Sequence, residues 1–209
     1  MKRNEEHAFI KIEKDIKDGN IPSLVLLYGK EDYLVDFYGN RLSKMYVNPA
    51  AEALDLMVID RNYMTTSQII DNFETMPLLS ERKVVYIPRF YDAKAKLPKS
   101  FSDEPKAIDR LAEYITNLPD KPGELNRLMV ITFSKPGDDI AGKALKASPL
   151  YKAIKKVGAI YEFDSLDYGQ LRGFIEKRFR VAAKSARRDI INLIIEECGY
   201  ENKNIDYGL

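Results

Sequence analysis

One histidine and one cysteine stand among the 209 residues, and that scarcity removes several kinds of chemistry at once. His7 is expected on the surface of an opening helix, so Ser-His-Asp and Cys-His arrangements lack their general base. A single Cys with a single His also falls short of the usual zinc sites, and Cys198 has no internal disulfide partner. It reads as a small buried apolar residue at a helix end. Charge of one sign is equally scarce. Thirty-three Lys+Arg against 32 Asp+Glu leave a net +1, so no whole-molecule field draws the chain to DNA or to an anionic membrane. Long hydrophobic runs are missing too: Leu24 to Leu27, followed by Tyr28, is far short of the ~20 residues that span a bilayer. Nor does a charged segment with an apolar run open the chain, and the cytoplasm is the expected location.

What is present suffices for a folded core: 45% of residues are hydrophobic and 11% aromatic, with 31% charged to solvate the surface. Phe9, Ile10, Ile12 and Ile16 have helical spacing and stop at Gly19-Asn20, predicting a helix over 5–18. The run Ser23-Leu-Val-Leu-Leu-Tyr28, closed by Gly29, suits a strand covered on both faces, with a helix over 31–46 after it. Further strands are expected over 54–59, 83–87, 127–133 and 159–163. Between them, Thr65-Thr-Ser-Gln68 has capping-box spacing ahead of a helix over 66–75 stopped by Pro77. A helix is expected over 107–118, and Ser148-Pro149 opens another that ends at Gly158. Strands alternating with helices imply crossovers and a mainly parallel sheet, an α/β domain. From 165 on the strand signal stops and apolar residues recur at helical spacing, predicting a small all-helical domain. Residues 91–106 read as a surface loop, and no tandem repeat or low-complexity tract occurs. The ending Ile205-Asp-Tyr-Gly-Leu209 has no closing helix, so a fragment of a longer protein is expected.

A strand ending in Tyr28-Gly29 and leading into a helix is where a phosphate loop belongs, so a divergent P-loop-type ATPase using Gly29-Lys30 is the enzyme reading to test. A G-x-x-x-x-G-K-[ST] loop starting at Gly29 needs Gly, Lys and Ser/Thr at 34–36, where the chain has Leu34, Val35 and Asp36. The third strand continues Ile87-Pro-Arg-Phe90, without an Asp-Glu pair to hold magnesium and direct a water. No nucleotide, metal or other cofactor and no intrinsic catalysis are expected. The acidic pairs Glu5-Glu6, Asp103-Glu104, Asp138-Asp139 and Glu196-Glu197 read as solvated surface, since sequence neighbours diverge on a helix or strand.

The constellation left over is Phe73-Glu-Thr-Met-Pro-Leu-Leu-Ser-Glu-Arg-Lys83 ahead of the strand Val84-Val-Tyr-Ile87. Two consecutive leucines after a proline cannot both face inward from a tight turn, which argues for an exposed apolar knob and a partner pocket. From the residues alone, packing beneath the sheet as the lead-in to the third strand stands equally open. The constellation resembles the DNA polymerase III delta family, where a helix, a Pro/Ser-Leu-[Leu/Phe]-Ser-x-[Arg/Lys] turn and an apolar strand follow in that order. Leu24-Val-Leu-Leu-Tyr-Gly-Lys-Glu-Asp-Tyr-Leu34 resembles that family's first strand and its continuation. Leu128-Met-Val-Ile-Thr-Phe133, Pro149-Leu-Tyr-Lys-Ala-Ile-Lys-Lys156, Ile160-Tyr-Glu-Phe163 and Leu171-Arg-Gly-Phe-Ile175 follow in family order.

The resemblance implies a parallel-sheet, P-loop NTPase-like fold of the AAA+ type without a working nucleotide site over residues 1–164, then a small helical lid domain over 165–209. It further implies a clamp-loader subunit that binds and opens the ring-shaped sliding clamp, the beta subunit, without binding ATP. Leu78 and Leu79 would be the apolar plugs, Met76 and Pro77 would shape the turn, and Ser80 would close it. Leu79 stands where some members carry an aromatic. Other loader subunits would be partners of the full-length protein, DNA would be met through the assembled complex, and no membrane is involved. Two basic groups, Lys143, Lys146, Lys152, Lys155 and Lys156, then Arg178, Arg180, Lys184, Arg187 and Arg188, invite a direct DNA reading. With interspersed Glu and Asp and no recurring aromatic platform they read as solvated helix faces, and no DNA-contact residue is assigned.

Overall fold

The His7 imidazole accepts a hydrogen bond from the Phe9 amide and so opens helix α1, Ala8–Lys17, as its N-cap. The histidine expected on the helix surface therefore satisfies one of the helix's free amides instead. In the computed structural model, residues 7–60, 65–90, 97, 99–118, 125–134, 139–197, 200–201 and 204–205 are described. Next in chain order come β1 Leu24–Gly29, α2 Asp32–Met45, a 3-10 turn Pro49–Ala51, a helical turn α3 Glu52–Asp55 and β2 Leu56–Val58. Then follow α4 Thr66–Glu74, β3 Lys83–Ile87, α5 Lys99–Ser102, α6 Ala107–Thr116, β4 Arg127–Ser134, α7 Asp139–Ala147, α8 Pro149–Val157 and β5 Ala159–Phe163. A second compact unit, Asp164–Leu209, holds α9 Tyr168–Val181, α10 Arg188–Glu197 and a two-stranded antiparallel ladder of β6 Tyr200–Glu201 with β7 Asn204–Ile205.

The first unit, Met1–Phe163, is built on a five-stranded sheet in the order β2-β3-β4-β1-β5, parallel throughout. The α/β expectation with a parallel sheet holds. β1 lies between β4 and β5, and its Val25 stands opposite Val130 on one side and Ala159 on the other. Every residue of β1 is buried, as a continuous apolar run requires when helices cover both faces. Because side chains alternate across a strand, Leu24, Leu26 and Tyr28 join the core under α4, α6 and α8, with Ile69, Phe73, Leu111, Ile115, Leu150 and Ile154. On the other face α2 lies so close that a Cβ on Gly39 would stand 2.8 Å from both the Thr132 methyl and the Tyr86 hydroxyl. Tyr38 of α2 stacks on Phe163 at 5.4 Å, and its hydroxyl donates to Glu13 of α1 at 2.9 Å.

The capping box is made as read: the Gln68 amide donates to the Thr65 hydroxyl at 3.2 Å, and the Thr65 amide to the Gln68 side chain at 2.9 Å. Ser148 caps α8 with Pro149 in its first turn. In the second unit Asp167 and Gln170 form a further capping box over α9, and Leu171, Ile191 and Ile195 are buried.

Several expectations need correction. The strand expected over 54–59 shrinks to Leu56–Val58, because Glu52–Asp55 coils helically after the 3-10 turn. The 91–106 loop contains the helical turn α5, whose Phe101 is fully buried against Phe90 at 5.2 Å; residues 91–96 and 98 lie outside the described residues. Helix α7 has no strong sequence signal, because its apolar residues are largely alanines around Leu145. The second unit is not all-helical, since it carries the β6–β7 ladder. Of the acidic pairs, Glu196 and Glu197 are exposed as expected, but Glu104 is not simply solvated. It accepts the Thr66 amide at the start of α4 at 2.8 Å and an Arg110 guanidinium N–H at 2.6 Å. Glu5-Glu6, Asp138 and Cys198 lie outside the described residues.

Candidate functional site

At the carboxyl end of a parallel sheet, where ligands of such folds usually sit, the β1–α2 connection packs closely against β5. Gly29 has φ +149, and a Cβ there would lie 2.0 Å from the Phe163 carbonyl oxygen. The same carbonyl accepts the Lys30 amide at 2.8 Å and the Glu31 amide at 3.2 Å, so the N–H groups that a phosphate loop would turn to its ligand close onto β5 instead. Asp36, one turn into α2, pairs with Arg89 at 2.9 Å. Just beyond β3 the Arg89 and Phe90 amides donate to the hydroxyl and carbonyl of Thr132, each at 2.9 Å. Among the described residues no group of three or more His, Cys, Asp or Glu gathers as metal ligands would, and no helix is long and apolar enough to cross a membrane.

The turn between α4 and β3 lies at the opposite, amino-terminal edge of the sheet. Leu78 is 67% exposed, Leu79 65% and Met76 57%, while Pro77 and Ser80 are half-buried. The choice that the residues alone left open is thereby decided, for neither leucine packs beneath the sheet. Such a row of large apolar side chains facing water on a short turn would ordinarily collapse onto the nearest core. Its backbone explains why it does not.

Asp55, at the end of α3, is fully buried and presents its carboxylate to three consecutive amides. Oδ1 accepts the Leu78 N–H at 2.8 Å; Oδ2 accepts those of Leu79 and Ser80, each at 2.9 Å. Successive amides curled around an anion form a concave nest, here filled by the protein's own carboxylate. Burial alone would raise the Asp55 pKa, but the amides of Leu78, Leu79 and Ser80 and the Ser80 hydroxyl outweigh it and hold the carboxyl down at about 2.

The flanks are tied as firmly. Ser80 Oγ accepts the Asn48 amide at 2.9 Å. The Arg82 guanidinium, buried, lies over the Tyr46 ring at 4.3 Å and donates to the Ile21 carbonyl at 2.9 Å. Lys83 Nζ reaches the Leu54 carbonyl. On the α4 side, Glu74 accepts from the Tyr114 hydroxyl and from Arg127 at 2.5 Å, and these two donors, Tyr114 foremost, lower its pKa. An exposed apolar tip on a fixed base is what a docking knob requires.

The sequence singles out Met76 to Ser80 but not Asp55 and Asn48, which bond to that turn, nor Glu74 beside it. Asp55 did leave a trace, as the one charge inside the apolar stretch Leu54 to Ile59. The basic groups are exposed as expected, with Lys146 held by Glu162 at 2.8 Å and Arg187 by Asp189 at 2.9 Å.

Asp55 also carries a pH signature. Its folded pKa lies below the ordinary ~4 of an unfolded Asp, so the unfolded chain binds the proton first as pH falls. The stability contributed by the ionised carboxylate is therefore complete above about pH 4 and is lost as pH falls towards about 2. Urea unfolding of the wild type and of Asp55→Asn should show a gap between them that narrows over that window, and a constant gap would contradict the assignment.

The structure resembles that of the Bacillus subtilis DNA clamp loader delta protein (YqeN) with a TM-score of 0.64 and 21% identity, over 89% of this chain and 51% of that one. The curated Bacillus subtilis (strain 168) DNA polymerase III subunit delta is 31% identical over 88 residues, which is 41% of this chain and 25% of the relative. The chain thus spans about half of the first relative, and the aligned stretch covers a quarter of the second. A family model described as DNA polymerase III, delta subunit, matches residues 25–144, more than half of the chain and including all of β1 but Leu24, together with the Met76–Ser80 turn. With the parallel sheet in place and the turn within the matched stretch, the chain belongs to the DNA polymerase III delta subunit family.

Proposed function

We propose that this chain is the clamp-binding part of a clamp-loader delta subunit, which grips the DNA sliding clamp and opens it without binding ATP. The observation that carries the reading is the exposure of Leu78 and Leu79, 67% and 65%, on a turn whose backbone is held by Asp55. Leu78 and Leu79 enter an apolar pocket on the ring, Met76 and Pro77 flank them, and Ser80 anchors the turn. Helix α4, tied at its end through Glu74, transmits the strain to the ring interface. Residues 1–164 serve as the clamp-binding domain, and 165–209 as a lid. Other loader subunits assemble with the full-length protein, DNA is met through that assembly, and the setting is the cytoplasm.

Independence from nucleotide is supported by the closed β1–α2 connection, in which the Lys30 and Glu31 amides bond the Phe163 carbonyl. Calorimetric titration of the chain with the cognate clamp, with and without Mg-ATP, tests the proposal. Clamp binding of the same strength in both conditions, with no heat from Mg-ATP alone, is the expected result. Silence with the clamp would overturn the partner, and heat from Mg-ATP alone would favour a divergent P-loop ATPase.

A further inference from the structure

We infer that Asp55 is a positioning residue for partner binding, holding the Leu78–Leu79 turn in its docking shape before the partner arrives. The inference rests on the clamp-binding reading of that turn and deepens it. A buried carboxylate is costly unless several donors satisfy it, and Asp55 is satisfied by three consecutive backbone amides at 2.8 Å to 2.9 Å together with the Ser80 hydroxyl. A charge retained for the core alone would be expected to hold a buried segment. This one holds amides whose own side chains, Leu78 and Leu79, project into water. It therefore fixes the shape of a surface that contributes little to the core.

Docking a flexible turn requires ordering its backbone and both leucine side chains at the moment of binding, which subtracts directly from affinity. With the three amides already gathered on Asp55, and with the Asn48 amide bonded to Ser80 Oγ at 2.9 Å, that ordering precedes binding. Asp55 touches no partner in this scheme and acts only through Leu78 to Ser80.

Asp55→Asn removes the charge and turns an NH2 towards amides that can only donate. In the full chain it is expected to weaken clamp binding roughly tenfold, through lost preorganisation. A merely structural role predicts the same loss whatever the turn carries, so the second readout is a cycle with Leu79→Ala. Positioning predicts that Asp55→Asn costs about threefold or less once Leu79 is truncated, because coupled residues are not additive. The third readout is amide hydrogen exchange, faster at Leu78, Leu79 and Ser80 in Asp55→Asn and unchanged at Val84 to Ile87.

Wild-type clamp affinity in Asp55→Asn, or an undiminished effect in the Leu79→Ala background, would overturn the inference. Should Asp55→Asn not fold, Ser80→Ala takes its place, with a weakening of about threefold expected from one lost anchor and unchanged affinity as the contrary result. Loss of clamp binding by Leu78→Ala/Leu79→Ala with none by Asp55→Asn refutes the positioning role alone. Unchanged binding by the double leucine variant refutes the clamp site itself, and amide exchange then shows whether Asp55 still orders the turn.

Discussion

Replacing Leu78 and Leu79 together by alanine is expected to weaken clamp binding by roughly 30- to 700-fold while leaving the fold intact. Full burial of a leucine contributes about 1.5–3 kcal/mol, and about a third of each side chain is already covered, so docking the pair is worth about 2–4 kcal/mol. At about 1.4 kcal/mol per decade, that range gives the stated loss. Stability should fall by no more than about 1–2 kcal/mol, the worth of the third of each leucine that is already covered. Circular dichroism would therefore be superimposable on the wild type and urea unfolding only modestly shifted, with the calorimetric titration altered most. Unchanged affinity would remove the turn from the interface.

Gly29→Ala should act in the opposite manner, damaging the fold before any partner is considered. Its Cβ would meet the Phe163 carbonyl oxygen at 2.0 Å, its carbon at 2.5 Å and the Phe163 nitrogen at 2.7 Å, all backbone atoms of a paired strand that cannot swing aside. The φ of +149 adds strain for any residue with a side chain. Together, overpacking and strain are expected to destabilise by roughly 3–5 kcal/mol, a loss on the order of 10 °C in Tm. Gly173→Ala, whose added Cβ meets nothing within 4 Å, is the internal control and should melt at or above the wild-type temperature. A tolerated Gly29→Ala would mean that β1 and β5 separate more readily than their pairing implies, and would reopen the loop as a phosphate site.

The two variants mark the two ends of the sheet, and they differ in how far the sequence foretold them. At the carboxyl end, Leu34, Val35 and Asp36 already spoke against a phosphate loop. The structure adds a two-residue connection whose amides bond to a strand 134 positions further along the chain, numbered from Gly29 to its partner Phe163. At the amino end, the turn from Met76 to Ser80 was legible as chemistry but not as placement. Leucines after a proline are compatible with a buried lead-in or an exposed knob, and the two differ only in what lies beneath.

The sequence by itself determined what local rules govern: the buried run of β1, the Thr65–Gln68 capping box, the Ser148-Pro149 helix start and the parallel α/β order. Each depends on residues a few positions apart, where periodicity and hydrogen-bonding chemistry act directly. It also carried, through the leucine turn and its flanking motifs, the resemblance that points to a partner. Only the tertiary structure decided that Leu78 and Leu79 face water, because that depends on Asp55, 23 residues before Leu78 and at the end of a short helical turn the sequence did not reveal. A lone carboxylate has no periodicity to betray it. Its role exists only once the chain has folded and three amides converge on its oxygens.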